Sequence, residues 1–95
     1  MQINYTKDAF ISLTNLINFI ETTNTLGAGL RWLFRFETFL QKNLLYPTQT
    51  KFCNNITFRS LSLRCIYFND WIIAFSFHKD FVLIEALLHK SRIKD

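Results

Sequence analysis

The sequence predicts a two-layer α+β domain with the element order β-α-α-β-β-β, and three observations predict it. A short apolar-alternating run, Ile3-Asn4-Tyr5, opens the chain; two stretches of helical periodicity follow; from Lys51 onward the period shifts to two. At 95 residues the chain makes one domain, residues 1–95. A domain of this size removes only about two-thirds of the extended chain's surface from water, so extra burial is welcome.

The first helix is expected over about 7 to 21. Thr6 suits an N-cap, Asp8 suits the first turn, and Phe10, Leu13, Ile17 and Ile20 recur at helical spacing until Thr22-Thr23-Asn24-Thr25 breaks it. A second helix is expected from about 26 to 43, with Arg31, Arg35, Thr38 and Lys42 along one polar stripe. Leu30, Leu33, Phe34, Phe36, Phe39 and Leu40 fill much of the rest, an apolar arc wider than one sheet contact needs. Gly27 and Gly29 let this helix approach the first, and Pro47 marks the loop after it.

Three strand-like runs complete the order: Phe58 to Leu63, Trp71 to Phe77, and Phe81 to Leu88. The polar turn His78-Lys79-Asp80 makes an antiparallel pair of the last two. In the final strand, alternation puts Val82, Ile84, Ala86 and Leu88 on one face, and Phe81, Leu83, Glu85, Leu87 and His89 on the other. In the first of the three, Arg59 shares a face with Leu61 and Leu63. One sheet face takes the helical hairpin and the other stays partly open, with residues 64–70 as a long connection.

Composition narrows the function classes. Apolar residues are 49% of the chain and Phe alone supplies eleven, rich for a small domain, so some apolar surface is expected to meet a partner. No window reaches the roughly 18 apolar residues of a membrane span, and the start lacks a signal-peptide pattern; a cytoplasmic protein without membrane contact is the expectation. Cys53 and Cys65 lack metal-site spacing and companions, and are read as reduced thiols. Phosphate loops, nucleophile elbows and paired-carboxylate signatures are absent, so neither a cofactor nor a small-molecule substrate is expected. The net charge is +4 and the pI about 9.3. Six of the eleven Lys and Arg fall at or after Arg59, and Lys90, Arg92 and Lys94 make the C-terminus the positive pole. Such a pole suits an acidic partner.

Several of these residues, taken in order, resemble the RelE/ParE toxins of bacterial type II toxin–antitoxin systems. Tyr5-Thr6-Lys7-Asp8-Ala9 looks like that family's entry into its first helix, and Ala28 sits where its second helix carries alanine. Phe58-Arg59-Ser60 is similar to the start of a family sheet strand, and Leu88-His89-Lys90-Ser91-Arg92 to the end of its last. The likeness covers nearly the whole chain. It implies a cognate antitoxin as partner, and one of two activities. One is binding to DNA gyrase, for which a shaped surface suffices. The other is cleavage of messenger RNA on the ribosome, with His89 as acid or base and Arg59 or Arg64 as phosphate clamps. Trp71 stands near the place of a strand arginine in ribonuclease members, and Lys51 is the lone lysine of a loop where they cluster several. These departures place the chain closer to the ParE-like branch, with an inactive antitoxin-binding relative as a further alternative. Arg31, Arg35, Arg59, Arg64, His89, Lys90 and Arg92 are then the candidate target- or partner-binding residues.

Overall fold

The computed structural model describes residues 2–92. Strand β1 (Gln2–Tyr5) leads into helix α1 (Lys7–Thr23), and helix α2 (Ala28–Asn43) returns against it. After a 3₁₀ turn at Pro47–Gln49 come a short helix α3 (Ile56–Ser60) and strands β2 (Arg64–Phe68), β3 (Trp71–Phe77) and β4 (Phe81–His89). The sheet order is β1-β4-β3-β2, with β1 parallel to β4 and the other pairs antiparallel. The expected α+β class and β-α-α-β-β-β order are thus those of the structure.

Thr6 ties three elements together. Its hydroxyl oxygen accepts the Ala9 N–H at 3.1 Å, capping α1, while its own N–H donates to the Ile84 carbonyl of β4 at 3.0 Å. Helix α1 runs two residues past the expected end because its polar terminus bonds back onto itself. The Thr23 hydroxyl donates to the Phe19 carbonyl at 2.7 Å, and the Asn24 amide to the Ile20 carbonyl at 2.9 Å. Helix α2 starts at Ala28 because Gly27 sits at φ 85°, in the left-handed region. Gly29 has a separate role: a Cβ there would lie 2.8 Å from the Ile17 carbonyl oxygen, so the hairpin closes only over glycine. The Glu21 carboxylate reaches from α1 to accept the Gly27 and Gly29 N–H groups at 2.8 and 2.9 Å. Those two bonds hold its carboxyl below the usual range.

The hairpin buries Leu13, Leu16, Trp32, Phe36 and Leu40 against Ile73, Phe75, Val82, Ile84 and Leu87 of the sheet. Trp32 stacks on Phe36 with centroids 5.0 Å apart, and Phe68 meets both edge-on at 5.8 and 5.7 Å. Tyr5, partly buried at the margin of this core, has its hydroxyl pushed up to about 12 by burial and then by Glu37.

Three expectations fail on the other side of the molecule. The run Phe58 to Leu63 is not a strand. The Asn55 side chain accepts the Thr57 and Phe58 N–H groups at 3.0 and 3.1 Å, capping α3, and Ser62 at φ 59° turns the chain out of it. The strand is instead Arg64–Phe68, inside the stretch read as a connection; a two-residue turn at Asn69-Asp70 joins it to β3, with Asn69 at φ 54°. Second, the alternation of β4 is broken. Phe75 pairs with Ile84 but Ala74 with Ala86, so Glu85 is the extra residue of a bulge. Val82 and Ile84 therefore share the helix-side core with Leu87, and Ala86 packs on the opposite face. Third, Cys53 and Cys65 are not free thiols but a disulfide, their Cα atoms 4.8 Å apart. That bond holds the segment carrying α3 over the second sheet face, where Cys53, Leu63, Cys65, Ile72 and Ala74 form their own buried cluster with Phe58 against it. The second face is more covered than alternation alone suggests.

Candidate functional site

The described residues offer two surfaces of interest, one at the end of β4 and one on the outside of α2. At the first, His89 lies opposite Trp71 in the β3–β4 ladder, and the two rings meet edge to face at 5.2 Å. The Ser91 N–H donates to His89 Nδ1 at 3.3 Å, and the Ser91 hydroxyl lies 2.9 Å from the same nitrogen. A backbone donor at Nδ1 leaves Nε2 to carry the proton of the neutral ring. Beside this pair, Ser12, Asn15 and Phe19 of α1 form the opposite wall of a groove of about 580 Å³. Lys90 closes the end of the sheet: its N–H donates to the Asp70 carbonyl at 2.8 Å and its ammonium pairs with the Asp70 carboxylate at 3.1 Å, both side chains exposed.

The groups that RNA cleavage would need do not converge there. Arg64 is opposite Phe75 and His89 opposite Trp71, so they are separated by four residues along β3, roughly 13 Å, and by two strand spacings of roughly 4.8 Å each. The Arg64 guanidinium donates to the Thr50 carbonyl and lies 4.3 Å from the centroid of the Phe52 ring. It anchors the segment preceding the disulfide to β2. Arg59 is exposed on α3, over the sheet face opposite the helical hairpin. Engaged at Thr50 and Phe52, Arg64 does not join His89 around a common site in this structure. Arg92 ends the last 3₁₀ turn; its side chain and Lys94 lie outside the described residues.

The outer side of α2 has a different chemistry. Leu30 and Phe34, one turn apart on α2, are 70% and 73% exposed, and Leu26, in the turn that precedes the Gly27 cap, is 91% exposed. The wide apolar arc read from the sequence divides here: Phe36 and Leu40 enter the core beside Trp32, and Leu30 and Phe34 do not. Arg31 and Arg35 follow Leu30 and Phe34 by one position each, along one flank of the row. The Arg31 guanidinium donates to the Leu26 carbonyl at 3.2 Å and to the Thr25 hydroxyl at 2.9 Å, which fixes it without neutralising it. Arg31 and Arg35 also line a depression of about 430 Å³ with Ile20, Asn24, Thr25 and Ala28.

Sequence reasoning missed the disulfide and the α3 cap. The signals present were Asn55 immediately before the helical turn and the Asn69-Asp70 pair at hairpin distance between apolar runs. The groove at His89 has no such signal, because Asn15 and Phe19 reach it only through the packing of α1 on β4. Among the described residues no cluster of His, Cys, Asp and Glu could hold a metal ion, and no helix is long and apolar enough to cross a membrane. Compared with known proteins, the chain matches no family model, and no curated protein matches it significantly.

Proposed function

We propose that this chain is the toxin of a bacterial type II toxin–antitoxin pair, of the RelE/ParE kind, neutralised by a cognate antitoxin and acting on DNA gyrase by binding. The observation that carries the reading is the combination of a helical hairpin on a four-stranded sheet with a large exposed apolar row outside it, in a chain whose candidate acid–base and phosphate-binding groups stand apart. A protein that works by docking needs surface rather than a converged set of proton-transfer groups. The resemblance along Tyr5 to Ala9 and Leu88 to Arg92 supplies the family, and gyrase enters through it alone. Ribosome-dependent cleavage has the weaker support, since His89 and Arg64 occupy different ends of the sheet.

The cytoplasm is the compartment this activity requires. Disulfides persist in oxidising surroundings, so the reading also requires that the fold survive with Cys53 and Cys65 reduced. Pulse-labelling of DNA and protein synthesis, just after inducing the chain alone in a bacterial host, tests the activity. DNA synthesis failing first is the expected result. Early collapse of translation would replace the reading with messenger RNA cleavage, and normal synthesis of both would leave an antitoxin-binding relative without toxicity.

A further inference from the structure

We infer that the outer face of α2 is the seat of an acidic amphipathic helix of the partner protein, with the partner's apolar side chains on Leu30 and Phe34 and its carboxylates along Arg31 and Arg35. The inference rests on the antitoxin-bound reading above and names the surface and charge pattern of that contact. Three observations converge on it. Leu30 and Phe34 lie four residues apart on α2, roughly 6 Å at about 1.5 Å per residue, the spacing at which an amphipathic helix presents its own anchors, and Leu26 stands in the turn just before the helix. Both side chains are largely exposed, as is Leu26, although α2 buries Trp32, Phe36 and Leu40 inward. An apolar row of this size beside a completed core has no use within the chain.

Charge complementarity selects the occupant. Arg31 is held in place by neutral oxygens of Leu26 and Thr25. The nearby Glu21 carboxylate, which feels the Arg31 charge, is already occupied by the Gly27 and Gly29 N–H groups. Arg35 makes no hydrogen bond or ion pair among the described residues. A guanidinium has five N–H donors in a planar fork that matches a carboxylate, so two such groups one helical turn apart favour a partner with acidic residues at the same spacing. A second copy of this chain fits less well. In a two-fold antiparallel pairing of α2 with itself, like flanks meet, and the Arg31 and Arg35 groups of both copies would face one another.

The experiment uses the full chain and a synthetic helical peptide with leucines at i, i+4 and i+7 and glutamates along one flank, and reads binding by fluorescence anisotropy. Binding is expected to weaken by about tenfold or more in Phe34→Ala, and similarly in the double variant Arg31→Glu, Arg35→Glu. The side chains of Phe34 and Arg35 are exposed, so Phe34→Ala and the single variant Arg35→Glu should keep the wild-type far-UV spectrum and melting temperature, whereas Arg31→Glu also gives up the bonds to Leu26 and Thr25. A control peptide with lysine at every glutamate should bind at least about tenfold more weakly than the acidic one, and should regain affinity for the charge-reversed variant. Equal binding of both peptides, or none of either, overturns the inference. So does wild-type self-association in sedimentation that Phe34→Ala abolishes, because the face would then belong to a second copy. Peptide binding by a chain that proves harmless on induction would keep this surface and sink the toxin reading.

Discussion

The sheet face under α1 and α2 is closed by packing, whereas the opposite face is closed by a short segment tied down at Cys53–Cys65. The first face contributes a contiguous core from both helices and the strands β3 and β4, centred on fully buried Phe36, Phe75 and Ile73. The second contributes a small cluster in which two of the five buried residues are the bonded cysteines themselves. Such a cluster has little apolar area of its own, so its order depends on the covalent tie and on the Arg64 anchor at Thr50 and Phe52. The difference teaches where the chain can tolerate change: loss of packing on the first face affects the whole domain, and loss of the tie on the second affects one flap.

Truncating the first face should have the largest effect. Phe36→Ala removes a fully buried ring that stacks on Trp32, and a loss of about 3–5 kcal/mol in urea unfolding is expected. A loss under about 1 kcal/mol would place the core elsewhere. Replacing both cysteines, Cys53→Ser with Cys65→Ser, should cost less, about 2–4 kcal/mol for a loop closed across 12 positions. Its signature is local: faster amide exchange in Ile56–Ser60, with the α1–α2 core protected as before. Global unfolding of that variant would break the comparison, and would also exclude a working cytoplasmic form.

Two smaller effects sharpen the account of the helical hairpin. Gly29→Ala gains about 1 kcal/mol of helix propensity but forces a methyl group against the Ile17 backbone oxygen, so a net loss of about 1–2 kcal/mol is expected by denaturant titration. Unchanged stability would mean that the two helices separate freely at this point. The Glu21 carboxyl titrates lower in the fold than in the unfolded chain, so its contribution is present above the unfolded value and lost as pH falls through the folded one. Thermal melts between about pH 6 and about pH 3 should therefore show a steeper fall for the wild type than for Glu21→Gln. Identical slopes would remove Glu21 as the pH-dependent clasp of the hairpin.

The same contrast explains what could be read from the sequence. Leu13, Ile17 and Ile20, and Phe36 with Leu40, carry a helical period because they meet a broad flat sheet, and that period is visible in one dimension. The stretch 56–63 meets only a small cluster through Phe58 and Leu63, and so few contacts leave a pattern equally compatible with alternation. Asn55 decides for the helix by capping it, a local effect that outweighs the apparent period. The bulge at Glu85 inverts the faces of β4 after Ile84, and no residue type announces it. The disulfide depends on a 4.8 Å approach of Cα atoms that sequence spacing does not encode. Of the candidate site residues, Arg31 and Arg35 lie together beside the apolar row of α2, while Arg59, Arg64 and His89 scatter over three parts of the molecule.

Docking rather than catalysis is the central claim, and supercoiling of relaxed plasmid DNA by purified gyrase tests it most directly. The purified chain is expected to stop supercoiling at a concentration comparable to the enzyme's and to leave messenger RNA intact in a translating extract. Full supercoiling in its presence, together with cuts in ribosome-bound message that His89→Ala abolishes, would contradict it.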